Sequence, residues 1–534
     1  MATTQAKTSI RPASLSPEAQ SALESLKQLL QRVHHLVSAS SLLGWDMETT
    51  MPANGAGFRS AQLATLSTLA HEITCSSEMS GCIGLLRQPE LLAKLDQTHR
   101  AMVREAAREY DQATKLPARL VQALAETSAN AHHIWVEARK HNDFKAFEPA
   151  LKQLLALNRE KADALGYEGS AYNALLDLYE PGLKVEALDP LFSNLKQHTV
   201  ALVQAIANSN RTPSTHFLHK TSSLTEQEQF SRLIIEDMGF DLMAGRLDTA
   251  PHPFCSGSHP SDIRLTTRYN RNDLLSSLFS CMHEAGHGLY EQGSDPALAD
   301  LRLGGGASLG IHESQSRLWE NMVGRSKLFW KHYLPKLRAR FPKHLNGIDL
   351  NTFYRAINRV QPSLIRVEAD EVTYNLHILL RFELERDLVE GKLAVHDLPE
   401  AWRHGMQKNL GVCPTNDANG CLQDIHWSMG AFGYFPTYTL GNLYAAQFYR
   451  KACQQLSTLE KSLNKAAFRQ LRQWLKDEIH WLGQIEPPGD IVQRVTGEPL
   501  NAQYFVNYVW QKYGDLYALP EALIKQHVKP TAMG

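Results

Sequence analysis

The sequence predicts a predominantly α-helical protein, and three features carry that reading. Apolar residues recur at helical spacing through most long segments, and alternating Val/Ile/Thr runs of strand type are scarce. Segments such as Arg100 to Glu109 are built, apart from Val103, from Ala, Glu, Arg and Met, residues that hold a helix well with one face in water. No internal repeat, low-complexity block or Gly/Ser linker divides the 534 residues, so residues 17–534 read as one domain behind a flexible tail, residues 1–16.

Taken in order, Ser16-Pro17-Glu18 reads as an N-cap followed by proline at the first helical position. Leu23, Leu26, Leu29, Leu30, Val33, Leu36 and Val37 then follow as the apolar face of a first helix. Trp45-Asp46 leads into a turn-rich break from Met51 to Gly57, and Ala61 to Ala70 resumes the helical pattern. Successive helices are expected between Leu91 and Ala164. The best strand candidate is Ile263 to Tyr269, after a loop of Pro, His, Cys, Gly and Ser from Pro251 to Pro260. A short sheet there suits the edge of a cleft that holds an extended peptide by main-chain hydrogen bonds.

Composition narrows the partners. A formal charge of -1 and a pI of about 7.1 argue against nucleic acid or an anionic membrane surface. No apolar run reaches the roughly 18 residues of a bilayer span. The seven cysteines are odd in number and scattered, as expected of thiols in a reducing, cytoplasmic setting. Met1 to Ser16 lacks acidic residues and carries Lys7 and Arg11 among Thr, Ser and Ala, so organellar import is the minor alternative.

Directly after the candidate strand comes His283-Glu284-Ala285-Gly286-His287, on a largely buried helix lined by Leu274, Leu278, Phe279, Met282 and Leu289. Two imidazoles four residues apart share one helix face at about 6 Å and can hold one divalent metal, with the intervening carboxylate placed to act on a water. Such buried polar groups are costly unless something pairs them, and a metal is the commonest partner. One helix cannot complete the site. Glu291 lies about 12 Å from His283 along the axis, too far to converge. The extended three-histidine pattern needs Gly at 290 and His at 293, where this chain has Tyr290 and Gly293. Beyond the glycine turn Gly304-Gly305-Gly306 a new helix opens, and Glu313 near its start is the expected third ligand; its competing reading is an i,i+4 ion pair with Arg317. Two imidazoles and one carboxylate leave a fourth zinc position for water, and Glu284 then serves as general base.

Two further stretches read as substrate-holding. A helix is expected around Ile365 to Ile378, with Arg366, Asp370, Tyr374 and His377 on one face as a cleft wall. From Asn409 to Tyr449 there is no Lys or Arg, while Gly and aromatic residues abound. This stretch reads as a long binding loop in which His426 and Tyr434 are candidates to donate hydrogen bonds to a tetrahedral oxyanion.

Six ordered motifs resemble those of the thermostable carboxypeptidase 1 family, the Taq-type zinc metallocarboxypeptidases. They are His252-Pro253-Phe254, Asp262 to Thr266, His283 to His287, His312 to Gln315, Ile365 to Asp370, and Gly420 to Trp427. The resemblance runs from about Ser16 to Tyr517. It implies an all-α, two-lobed saddle around a deep groove with a small β-sheet at the groove wall, and a homodimer. It also implies removal of C-terminal residues other than proline from peptides, with broad tolerance. By the same likeness His283, His287 and Glu313 bind zinc, with cobalt accepted in its place, Glu284 is the catalytic base, and Arg366 anchors the terminal carboxylate of the substrate. The competing readings are an endo-acting zinc oligopeptidase and a non-catalytic helical binding module with a structural metal.

Overall fold

Ser16 starts the first helix as its sequence demands: the hydroxyl accepts from the Ala19 amide at 3.2 Å, and Pro17 takes the first position, where no N–H is needed. A computed structural model of the chain describes residues 15–533, so the expected tail, residues 1–16, lies almost wholly outside the described residues. The first helix runs Pro17–Thr49 and carries Trp45-Asp46 in its last turns. A short turn at Ala53–Gly55 then leads into the helix Ala56–Thr74. Helices Gln97–Lys115, Ala118–His141 and Phe144–Leu165 follow, as the composition of that region predicts.

Two hydrophobic cores result. The smaller gathers Leu23, Leu26, Met79, Ile83 and Met102, joined by Leu298 and Leu303 from far along the chain; the larger takes in most apolar residues from Ala131 onward. A cavity of about 500 Å³ is lined by Leu30, Glu105, Tyr179, Gly304 and His312. A second cavity, of about 1200 Å³, shares Arg108 with the first and continues along the helix Gln97–Lys115. Among the described residues no helix is long and apolar enough to cross a membrane, and all seven cysteines are free.

The sheet has three strands, β1 (Gly245–Thr249), β2 (Cys255–His259) and β3 (Asp262–Thr267), in the order β1-β3-β2. β1 runs parallel to β3 with Leu247 opposite Leu265, and β2 antiparallel with Ser256 opposite Arg264. β3 is the strand expected from the sequence, and its Ile263 and Leu265 are buried in the larger core. β2 corrects the reading of Pro251 to Pro260 as a loop. Cys-Ser-Gly-Ser-His has none of the branched or aromatic residues that mark strands; main-chain pairing with β3 makes it one. Gly257 and Ser258 of this strand line the smaller cavity. The first helix rests on the sheet through Trp45, whose ring is flanked by the guanidiniums of Arg246 and Arg264 at 4.8 and 4.5 Å.

The motif helix spans Ser276–Gly293 and buries Leu278, Phe279, Met282, Ala285 and Leu289 as its periodicity predicts. Ser308 caps the next long helix, Leu309–Arg317, accepting from the Ile311 amide at 3.0 Å. Glu180 is buried beneath that cap and accepts from the Gly310 amide at 3.0 Å, the Ser308 hydroxyl at 3.0 Å and the Tyr444 hydroxyl at 2.9 Å. Glycines let three helices meet at backbone distance. A Cβ on Gly286 would lie 2.6 Å from the Ser316 Cα, and one on Gly441 would lie 2.4 Å from the Glu313 Cγ.

Two expectations fail in instructive ways. The helix expected from Ile365 begins only at Tyr374 and runs to Val389; Arg366 sits on the short turn Arg366–Glu368. The Asp370 carboxylate captures the amides of Gln361, Val372 and Thr373, which folds the segment into a turn before a helix can start. His377, expected on a cleft wall, is fully buried instead. The irregular stretch expected as far as Tyr449 ends at Phe435: Pro436 opens the helix Pro436–Gln455, whose Leu440, Leu443, Tyr444 and Phe448 lie in the core.

Candidate active site

Three donor atoms converge where the motif helix crosses the Leu309–Arg317 helix. His283 Nε2 and His287 Nε2 stand 3.7 and 3.5 Å from Glu313 Oε2, and one atom from each of the three residues lies within 4.8 Å of the others. Ligands of a tetrahedral zinc with bonds of about 2.0–2.2 Å are separated by roughly 3.4 Å. The donor set therefore fits one small divalent ion with little movement, and it is the single group of this kind among the described residues.

The second nitrogen of His283 meets a carboxylate and that of His287 meets another imidazole, and these contacts fix ring and tautomer. His283 Nδ1 lies 3.0 Å from Glu320 Oε2, and Glu320 is held in turn by Arg317 at 3.4 Å and Arg325 at 3.3 Å. His287 reaches its carboxylate through a second imidazole: His287 Nδ1 is 2.6 Å from His312 Nδ1, and His312 Nε2 is 2.7 Å from Glu291 Oε1. The expected ion pair with Arg317 forms through Oε1, which accepts from Arg317 Nε at 2.7 Å, and leaves Oε2 facing the histidines. Replacing His312 with phenylalanine keeps a ring in place and removes both nitrogen contacts. Metal affinity is expected to fall about 10–100-fold, measured by competition against a chelating dye.

Burial and charge set the ionisation of the group. Burial, with His312 beside it, pushes His287 down to about 3, so it is a neutral donor. Burial alone would raise Glu313, but Arg317 and His283 outweigh it and hold the carboxyl well below the usual range. Glu284 lies on the same helix, is raised by burial to about 7, and accepts no hydrogen bond from any described residue.

Arg366 is reached from the metal pocket through two side chains. Its Nη1 donates to the Tyr374 hydroxyl at 3.2 Å; the Arg317 guanidinium lies 4.4 Å over the Tyr374 ring, and Arg317 pairs with Glu313. Arg366 Nε donates to Asp424 at 2.9 Å, and Asp424 also takes Arg381 Nε at 2.6 Å. The Arg366 guanidinium lies 5.1 Å over the Tyr438 ring, and its Nη2 donates no hydrogen bond to a described residue. His426 Nε2 is 3.2 Å from the Tyr438 hydroxyl, its ring is 5.3 Å from that of Tyr434, and Tyr434 in turn meets Tyr179 at 5.1 Å. After burial, the charge of Glu313 is the next cause that raises the Tyr434 phenol, which puts Tyr434 in the field of the metal pocket.

All seven candidates, His283, Glu284, His287, Glu313, Arg366, His426 and Tyr434, thus belong to one connected region. Reasoning from sequence set Tyr374 beside Arg366 on the cleft wall but missed the supporting roles of Glu291, His312, Glu320 and Asp424. Glu320 was within reach, because seven residues after Glu313 is two turns along the same face.

Residues 25–513 match the sequence model of the family described as Carboxypeptidase Taq (M32) metallopeptidase. Carboxypeptidase 1 of Bacillus subtilis is 40% identical over 491 residues, which span 92% of this chain and 98% of that protein. Thermostable carboxypeptidase 1 of Thermus thermophilus is 41% identical over 512 residues, 94% of this chain and 100% of that protein. The solved M32 carboxypeptidase from Deinococcus radiodurans R1 is similar at a TM-score of 0.89 and 36% identity, covering 93% of this chain and 100% of that chain. With likeness over nearly its whole length and a donor set suited to a divalent metal, the chain belongs to the Carboxypeptidase Taq (M32) metallopeptidase family and is a metallocarboxypeptidase, a peptide hydrolase.

Proposed function

We propose that the enzyme removes single residues from the free C-terminus of peptides, with His283, His287 and Glu313 holding zinc, Glu284 acting as general base and Arg366 anchoring the terminal carboxylate. The observation that carries this reading is the buried Arg366 guanidinium. It keeps Nη2 unspent and is braced against the metal pocket through Tyr374 and Arg317. Bound zinc supplies Lewis acidity to the scissile carbonyl and to the attacking water.

The side chains do the rest. Arg366 takes the substrate carboxylate through charge-assisted hydrogen bonds and so sets the last peptide bond beside Glu284. Glu284, with no hydrogen bond of its own to break, takes a proton from the attacking water and passes it to the leaving amine. Tyr434 and His426 donate to the oxygen that gains negative charge. The family likeness supports broad side-chain tolerance with C-terminal proline refused, cobalt as a substitute metal, and a homodimer. The near-neutral charge and scattered thiols support a cytoplasmic enzyme without nucleic-acid or membrane partners, and residues 17–534 are read as one catalytic domain.

Matched peptides with free and amidated C-termini test the central claim. The amide is expected to be cut about 10²–10³-fold more slowly, because it leaves the buried guanidinium without its carboxylate. Equal rates would discard the anchor, and internal fragments in the mass spectrum would favour the oligopeptidase reading.

A further inference from the structure

A carboxylate outside the metal centre holds the segment that carries both oxyanion donors. Glu385 lies within the helix Tyr374–Val389 and is fully buried. Its Oε1 accepts from the Gly433 amide at 2.7 Å and the Tyr172 hydroxyl at 2.6 Å, and its Oε2 accepts from the Trp427 indole N–H at 2.6 Å. Trp427 follows His426 and Gly433 precedes Tyr434, so the two oxygens pin the segment at both ends, one residue from each donor. The opposite side is closed as well. Gly433 has φ of 90°, and a Cβ there would lie 2.5 Å from the Leu175 carbonyl carbon and oxygen. The loop is therefore pressed between Leu175 and Glu385, with no room to shift toward either.

Three donors converging on one buried site need a group that only accepts. A carboxylate satisfies all of them, whereas an amide of the same shape has one accepting oxygen and turns an N–H₂ toward at least one donor. The third donor, Tyr172, comes from the helix Ala171–Leu176, so Glu385 also ties the loop to the helix that contains Leu175.

We propose that Glu385 is a positioning residue for the hydrolysis: by clamping Trp427 and Gly433 it sets where His426 and Tyr434 stand relative to the metal pocket. This rests on reading His426 and Tyr434 as oxyanion donors. The test is Glu385→Gln alone, Tyr434→Phe alone, His426→Asn alone, and Glu385→Gln combined with Tyr434→Phe, each with metal content and melting temperature measured. Glu385→Gln is expected to retain metal and lower kcat about 10–100-fold while KM moves much less. The double variant is expected to be no slower than the slower of its two singles, since a displaced donor and a missing donor are the same loss.

A purely structural role would lower the melting temperature without that split in kcat and without that non-additivity. An unchanged kcat in Glu385→Gln, with Tyr434→Phe impaired, overturns the positioning role alone, as do losses that multiply in the double variant. Silence of both Tyr434→Phe and His426→Asn overturns the donor reading and the positioning role together. Where Glu385→Gln does not fold, Trp427→Phe removes a single donor and gives the same readout: a lowered kcat supports the clamp and an unchanged one overturns it.

Discussion

Glu284→Gln is expected to lower kcat by about 10²–10⁴-fold with the metal still bound. The carboxylate is buried yet accepts no hydrogen bond from the described residues, so the substitution breaks no contact in the resting protein. None of the three donors near the metal pocket is touched. What disappears is basicity: an amide oxygen cannot take a proton from water and hand it to an amine. Turnover and metal content measured on one sample decide the matter. Loss of turnover with full metal supports the general base, whereas full turnover would take that role away from Glu284 and assign it to another group.

Arg366→Ala is the second large effect. Charged hydrogen bonds to a buried partner are worth about 2–5 kcal/mol, so kcat/KM for free-acid peptides is expected to fall about 30- to 4000-fold at about 1.4 kcal/mol per factor of ten. Folding should survive, because Asp424 keeps its 2.6 Å contact with Arg381 when Arg366 is gone. The diagnostic is the ratio of free-acid to amide cleavage. It is expected to collapse toward unity in the variant, and a preserved ratio would place the carboxylate anchor elsewhere. Lysine is a poor substitute, because a point charge cannot hold Tyr374, Asp424 and a carboxylate in one plane.

The sequence disclosed those parts of the site that obey a period. His283 and His287 share a helix face, Glu313 follows a glycine turn, and β3 alternates as far as Leu265 before Thr266 and Thr267 are both buried. What escaped was made by contacts between distant segments. β2 is a strand only because β3 pairs with it. The spacing of Arg366, Asp370, Tyr374 and His377 imitates a helical stripe, yet Asp370 takes three amides and bends the chain before the helix begins. The helix from Pro436 was obscured by Gly441, a residue that disfavours helices and is needed there because Glu313 leaves no space for a side chain. Glu291 was rightly too far to be a ligand, but no spacing rule reveals that His312 would bridge it to His287.

The close approach at Gly286 bears on how a zinc-peptidase signature is defined. Written His-Glu-x-x-His, the pattern treats its two middle positions as equally free. Here they answer to different neighbours: Ala285 is buried in the apolar core, whereas Gly286 faces the main chain of Ser316. A methyl group at the second position would push apart the two helices whose crossing brings Glu313 within reach of the imidazoles. In this architecture the recognisable unit is His-Glu-x-Gly-His, and a pattern that demands the glycine should tell this helix crossing apart from unrelated histidine pairs.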